Sequence, residues 1–262
     1  MTASSPFSLA GKTCVVTGGV RGIGHGIVHA FAEANASKIA MIDLRDELGQ
    51  QAEKELGQDF PNCTFKYYRL DISNYEQVQQ VYGQIEQDLG PIHVQVSNAG
   101  IAEYKPALEH TPESWRSIFN VNVDGTFYTT QAAARCMVKH KIAGSIILTA
   151  SISAHVINRP DIQPGMSHYC TSKAAVLQMA KALAVEWAQY NIRVNSLSPG
   201  NIVTPISPKD KHVVDQLNNL CALRRMGTAD EIGRPAVYLA SDASSFQTGT
   251  DVLVGKFFSL VV

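Results

Sequence analysis

Short runs of β-branched residues alternate along this chain with longer stretches in which apolar side chains return every three or four positions. The short runs predict seven strands: Lys12 to Thr17, Lys38 to Asp43, Thr64 to Leu70, Ile92 to Val96, Ser145 to Thr149, Ile192 to Leu197 and Asp251 to Val254. The stretches between them predict helices. Ile27, Phe31 and Ala34 mark one face of a helix over Ile23 to Asn35, and Glu47 to Leu56 is a polar helix. Ser73 reads as an N-cap before a helix carrying Val78, Val81 and Ile85. A long helix from Pro112 to His140 breaks near Gly125. Tyr169 to Tyr190, Lys211 to Leu223 and Ala229 to Ala240 complete the set. Strands joined by helical crossovers form a parallel sheet covered on both faces. The expected fold is therefore α/β, a single doubly wound domain over 1–262, because seven strands in one sheet leave nothing for a second domain.

Composition narrows the function. Twenty-two Lys and Arg against 23 Asp and Glu give a formal charge of -1, which argues against a nucleic-acid binder. No apolar run approaches the roughly 18 residues of a membrane span, and the first residues do not read as a signal peptide. Five cysteines, an odd number with no C-x-x-C pair, suit free thiols in a reducing compartment, so a cytoplasmic location is expected. No His, Cys, Asp or Glu cluster has metal-ligand spacing, and no metal is expected.

Thr17 to Gly24 reads T-G-G-V-R-G-I-G between the first strand and the first helix. This is the context of a dinucleotide fingerprint, in which glycines let the backbone approach a pyrophosphate at a helix N-terminus. Asp43 follows Gly24 by 19 residues, at the end of the second strand. A carboxylate there accepts hydrogen bonds from ribose hydroxyls and repels a 2′-phosphate. Arg21 and Arg45 lie close by in sequence and could meet such a phosphate. NAD is favoured, with NADP as the alternative.

The spacing T-G-x-x-x-G-x-G resembles the short-chain dehydrogenase/reductase family, and further landmarks agree. They are Asn98-Ala99-Gly100 after the fourth strand, Asn122 in V-N-V-D-G, Ser151 after the fifth strand, Tyr169 and Lys173 as Y-x-x-x-K, and Pro199-Gly200 after the sixth. The resemblance spans about residues 10 to 254 and implies a Rossmann-type domain with a seven-stranded parallel sheet. It implies catalysis by Asn122, Ser151, Tyr169 and Lys173. It also implies cofactor contacts from Gly18, Arg21, Gly22, Ile23, Gly24, Asp43, Asp71, Ile72, Asn98, Ala99, Gly100, Tyr169, Lys173, Pro199, Gly200, Ile202 and Thr204. Asp71 is equally readable as a helix-capping residue. Ile202 is expected to meet the nicotinamide amide through its backbone, beside Thr204.

The residue types suit hydride transfer between an alcohol and a ketone. Tyr169 is the expected proton donor and acceptor. Lys173, one helical turn on, is expected together with oxidised nicotinamide to favour the phenolate and lower its pKa from about 10. Ser151 would polarise the substrate oxygen, and Asn122 would hold a water that links Lys173 to solvent. His155 and His168 flank the expected site.

Two segments should shape the substrate pocket, 152–168 and 202–223. The first carries Asn158, Arg159, Asp161 and Gln163. Within the family the chain looks most like fungal polyol and ketose members, which implies a polyol or ketose substrate. The apolar lid residues Ile202, Val203, Ile206, Val213, Val214, Leu217 and Leu220 keep a tailoring reductase of cyclic ketones or terpenoids open. So does a non-catalytic dinucleotide-binding oligomer, because the apolar tail Phe257 to Val262 departs from the family's pattern. A dimer or homotetramer is expected.

Overall fold

A computed structural model describes residues 5–157, 165–205 and 207–255. The strands are β1 Thr13–Thr17, β2 Lys38–Asp43, β3 Thr64–Arg69, β4 Val94–Ser97, β5 Ser145–Thr149, β6 Arg193–Pro199 and β7 Asp251–Val254. They form one sheet in the order β3-β2-β1-β4-β5-β6-β7, with every pairing parallel. The helices are α1 Gly22–Glu33, α2 Asp46–Asp59, α3 Tyr75–Leu89, α4 Pro112–Phe119, α5 Thr126–Lys139, α6 Ser167–Trp187, α7 Lys211–Leu220 and α8 Ala229–Ala240.

Alternation along the strands sorts their side chains into two cores. Val15, Ala40, Ile42, Ile146 and Leu148 pack on one face with Val78, Ile85, Met137 and Val176 of α3, α5 and α6. Cys14, Val16, Ile39, Met41 and Ile147 pack on the other with Ile27, Phe31, Leu56 and Leu239 of α1, α2 and α8. A sheet buried on both faces explains why its strands read as continuous apolar runs rather than alternating ones. The strand order reverses between β1 and β4. Chains leaving their carboxyl ends therefore diverge and open a crevice, where open α/β sheets bind ligands.

The long helix predicted over Pro112 to His140 is interrupted as expected, by a π-helical stretch at Asn120–Gly125. Gly125 sits against Ile72, where an added Cβ would come within 2.8 Å of the isoleucine side chain. The N-cap of α3 is Asn74, whose side chain accepts from Gln77 N, and not Ser73. Ser73 is held instead by Asp71, two residues earlier. Among the described residues no helix is long and apolar enough to cross a membrane. The five cysteines are free. The polar residues expected at 158–163, lid residue Ile206 and the tail Phe257 to Val262 lie outside the described residues.

Candidate active site

A cleft of about 640 Å³ opens along the carboxyl ends of β1, β2, β4, β5 and β6. At one end is the turn between β1 and α1. Gly18 has a φ of +65°, and a Cβ there would come within 3.0 Å of Asn98 Nδ2. A Cβ on Gly24 would lie 2.0 Å from the Gly18 carbonyl oxygen, so no other residue fits. Arg21, the α1 N-cap, makes no side-chain cap hydrogen bond. The first N–H groups of this helix thus lack a side-chain cap where Gly22 and Ile23 line the cleft. An anionic pyrophosphate suits such a helix end, and the glycine cradle leaves its backbone room.

Asp43, Arg45 and Arg21 line the same end. Asp43 Oδ1 accepts from the Leu44 N–H at 2.8 Å. Asp71 and Ile72 line the adjoining wall. The Asp71 carboxylate accepts from the Ser73 N–H at 3.0 Å and from its hydroxyl at 2.7 Å, the turn-forming alternative. The floor is held by Thr17, a residue the sequence reading passed over. Its fully buried hydroxyl accepts from the N–H groups of Asn98 at 2.9 Å and Ala99 at 3.0 Å. Asn98 Nδ2 returns a bond to the Thr17 carbonyl at 3.0 Å. The threonine heading T-G-G was the available signal.

At the other end stand Ser151, Tyr169 and Lys173, joined by Thr149 and Ala150. Ser151 ends the β5 crossover as N-cap of a single 3₁₀ turn, its hydroxyl accepting from Ser153 N at 3.1 Å. Tyr169 and Lys173 share one face of α6, and Lys173 Nζ lies 5.8 Å from the phenol ring centre. Lys173 is 5% exposed and donates to the Thr149 carbonyl at 2.8 Å. Burial lowers its pKa to about 8. Burial also raises the Tyr169 pKa, and a hydrogen bond with the Ser151 side chain opposes that rise. Without cofactor the Lys173 ammonium donates to the Thr149 carbonyl, and Ser151 is the neighbour whose hydrogen bond favours the phenolate.

Asn122 is fully buried in the π-helical stretch. Its Oδ1 accepts from Ile101 N at 2.9 Å, and its Nδ2 donates to the Ile101 carbonyl at 3.0 Å and to Ser172 Oγ at 3.1 Å. The amide thus pins the loop after Gly100 to α6.

Pro199, Gly200 and Thr204 line the cleft beyond β6, as expected. The Ile202 side chain turns from the cleft and is buried against Gly227, and its carbonyl accepts from Ser207 Oγ at 2.9 Å. Ser207 Oγ also accepts from Thr204 N at 2.9 Å and lies 3.1 Å from Thr204 Oγ1. This polar staple fixes the loop. His155 points to Asp251 at 2.9 Å, and fully buried His168 lies against His110 with ring centres 4.1 Å apart. Neither lines the cleft.

Residues 18–256 match the family model described as enoyl-(acyl carrier protein) reductase. The chain is 39% identical over 254 residues to a sorbose reductase of Schizosaccharomyces pombe, covering 96% of this chain and 97% of that one. A crystal structure of a short-chain type dehydrogenase/reductase from Mycobacterium marinum superposes with a TM-score of 0.89 at 39% identity, covering 95% of each chain. The chain is a short-chain dehydrogenase/reductase. A probable NADP-dependent mannitol dehydrogenase of Yarrowia lipolytica is another similar member, 34% identical over 255 residues, 95% of this chain and 87% of that one. As a short-chain dehydrogenase/reductase the protein is an oxidoreductase using NAD or NADP, and the glycine turn and uncapped α1 suit either dinucleotide.

Proposed function

We propose that the enzyme interconverts a secondary alcohol and a ketone of the polyol and ketose class, with NAD(H) as its cofactor. The observation that carries this reading is the convergence of Ser151, Tyr169 and Lys173 at one end of a cleft whose other end is the glycine turn and Asp43. The nicotinamide, when bound, supplies or accepts the hydride. Tyr169 gives its phenolic proton to the developing alkoxide during reduction and takes it back during oxidation. Ser151 hydrogen-bonds the same substrate oxygen. Lys173 supplies positive charge beside the phenol, and Asn122 keeps the Gly100–Ile101 loop against α6.

Charge distribution supports a neutral substrate. Among the described residues lining the cleft, Arg21, Asp43, Arg45 and Asp71 belong to the dinucleotide half. Lys173 alone stands at the reacting end, and it is committed to Thr149. Among the described residues a substrate carboxylate would find no cation there beyond Lys173, whereas a hydroxylated neutral ketone meets no penalty. The substrate-shaping segments are 152–168 and 202–223.

NAD(H) is favoured over NADP(H) because the Asp43 carboxylate lines the adenosine end of the cleft and repels a 2′-phosphate. A homodimer or homotetramer in the cytoplasm completes the reading.

The test is a panel of polyols, ketoses and cyclic ketones followed by cofactor absorbance with NADH and NADPH in parallel. Turnover of a ketose such as sorbose, lost in Tyr169→Phe while cofactor binding persists, is the expected result. Retained turnover in that variant would remove Tyr169 from its role. Turnover of cyclic ketones alone would overturn the substrate class. Cofactor binding without any turnover would point to a non-catalytic dinucleotide-binding role.

A further inference from the structure

On the face of the sheet away from α1, α3 and α5 bring three metal-binding side chains together. Glu86 lies on α3, Cys136 on α5, and His140 caps the α5 carboxyl end one turn after Cys136. One donor atom from each lies within 4.8 Å of the other two. The sequence reading found no metal-ligand spacing because Glu86 is fifty residues from Cys136, and only helix packing closes that gap.

We propose that Glu86, Cys136 and His140 form a zinc(II) site that clamps α3 to α5, separate from the catalytic cleft. The donor set, one thiolate, one imidazole and one carboxylate, suits zinc, with water as the fourth ligand. Glu86 Oε1 already lies 2.7 Å from His140 Nε2. Ligands bonded to one tetrahedral zinc sit roughly 3.3–3.6 Å apart, so this pair must open by only a few tenths of an ångström to about an ångström.

Two surrounding contacts bear on the site. The Ile92 N–H donates to Cys136 Sγ at 3.5 Å, the kind of second contact that steadies a metal-bound thiolate. The Lys139 ammonium is its competitor, paired with Glu86 Oε1. That side chain is 64% exposed, so it can swing into solvent when the metal takes the oxygen. Glu86 and His140 are partly exposed and open the route to the buried sulfur. The balance is simple: the Cys136 thiol releases one proton to solvent, its sulfur bonds zinc, and no electron is transferred. Because binding releases that proton, affinity should climb with pH.

The test uses the full-length enzyme without an affinity tag, stripped with chelator and titrated with cobalt(II) and zinc(II). Cobalt should produce a thiolate charge-transfer band that zinc abolishes. Zinc at a hundredfold excess over its dissociation constant should raise the melting temperature by roughly 5 °C. Cys136→Ser should lose the band, and His140→Ala, at a more exposed position, should weaken zinc binding at least tenfold. No band in the wild-type protein would overturn the site, leaving an ion-pair cluster only. So would a band that survives in Cys136→Ser, or zinc binding unchanged in His140→Ala.

Discussion

Replacing Lys173 by methionine should make this protein more stable and inactive. The lysine is 5% exposed, and burial lowers its pKa from 10.5 to about 8. That drop of about 2.5 units is about 3 kcal/mol of penalty on the charged form, at 1.36 kcal/mol per unit. The unfolded chain keeps its proton up to about pH 10.5. The penalty is therefore fully present below pH 8 and fades as pH rises from 8 to 10.5. Methionine has similar length and no charge to desolvate, but it gives up the 2.8 Å bond to the Thr149 carbonyl, about 1 kcal/mol. The net gain at pH 7 is about 2 kcal/mol, a rise in melting temperature of roughly 5 °C for a chain of this size. Denaturation of wild type and Lys173→Met at pH 6, 7, 8 and 9.5, without cofactor, gives the profile. The gap should be widest at pH 6–7 and shrink by pH 9.5, while turnover falls at least 100-fold. A variant no more stable than wild type at pH 7, or a gap that ignores pH, would refute the desolvation argument.

Three further outcomes are expected. Asp43→Ser should raise the ratio of kcat/KM for NADPH over NADH at least tenfold, since about 1.4 kcal/mol of relieved repulsion suffices; steady-state kinetics with both cofactors would expose an unchanged ratio. Thr17→Val strands the Asn98 and Ala99 N–H groups and should cost about 2–4 kcal/mol of stability while weakening cofactor binding. Calorimetry and cofactor fluorescence titration measure both, and a variant as stable as wild type would deny the hydroxyl its place in the cleft floor. In the alcohol-oxidising direction, kcat/KM should rise with pH through an apparent pKa no higher than about 8, and a limb rising only above pH 9 would contradict the coupling of Tyr169 with Lys173.

Periodicity located all seven strands because a doubly covered parallel sheet needs apolar side chains at consecutive positions, which leaves a strong local mark. The ends moved by a residue or two where capping decided them, as Asn74 did by reaching Gln77. Gly18, Gly24, Ser151, Tyr169 and Lys173 were legible because each answers to a local demand, a turn or a helical spacing. Ile202 was not. Its neighbours Thr204 and Pro199 line the cleft, but Ser207 folds the loop back on itself and turns Ile202 to Gly227. Asn122 and the T-G-G threonine leave a mark in the sequence, but their partners do not: their bonds reach residues 21 and 81 positions away, and nothing in a one-dimensional pattern records them.

The protonation of Tyr169 and Lys173 follows from their shared burial, which resists phenolate and ammonium alike. Near neutral pH the pair holds both protons and one positive charge. Losing one proton yields either neutral lysine beside phenol or ammonium beside phenolate. These are two forms of a single macroscopic state, so the constant for reaching it is the sum of both routes. The apparent pKa therefore cannot exceed the lower of the two, the lysine's value of about 8. That bound concerns the pair and does not by itself create phenolate: with the tyrosine's own pKa raised by burial, ammonium beside phenolate is the minor form of the state, and only groups that stabilise the phenolate enlarge it. The Ser151 hydroxyl shifts that sharing toward the phenolate. Methionine at 173 removes the positive charge 5.8 Å from the phenol ring, which is why the more stable variant is expected to be the inactive one.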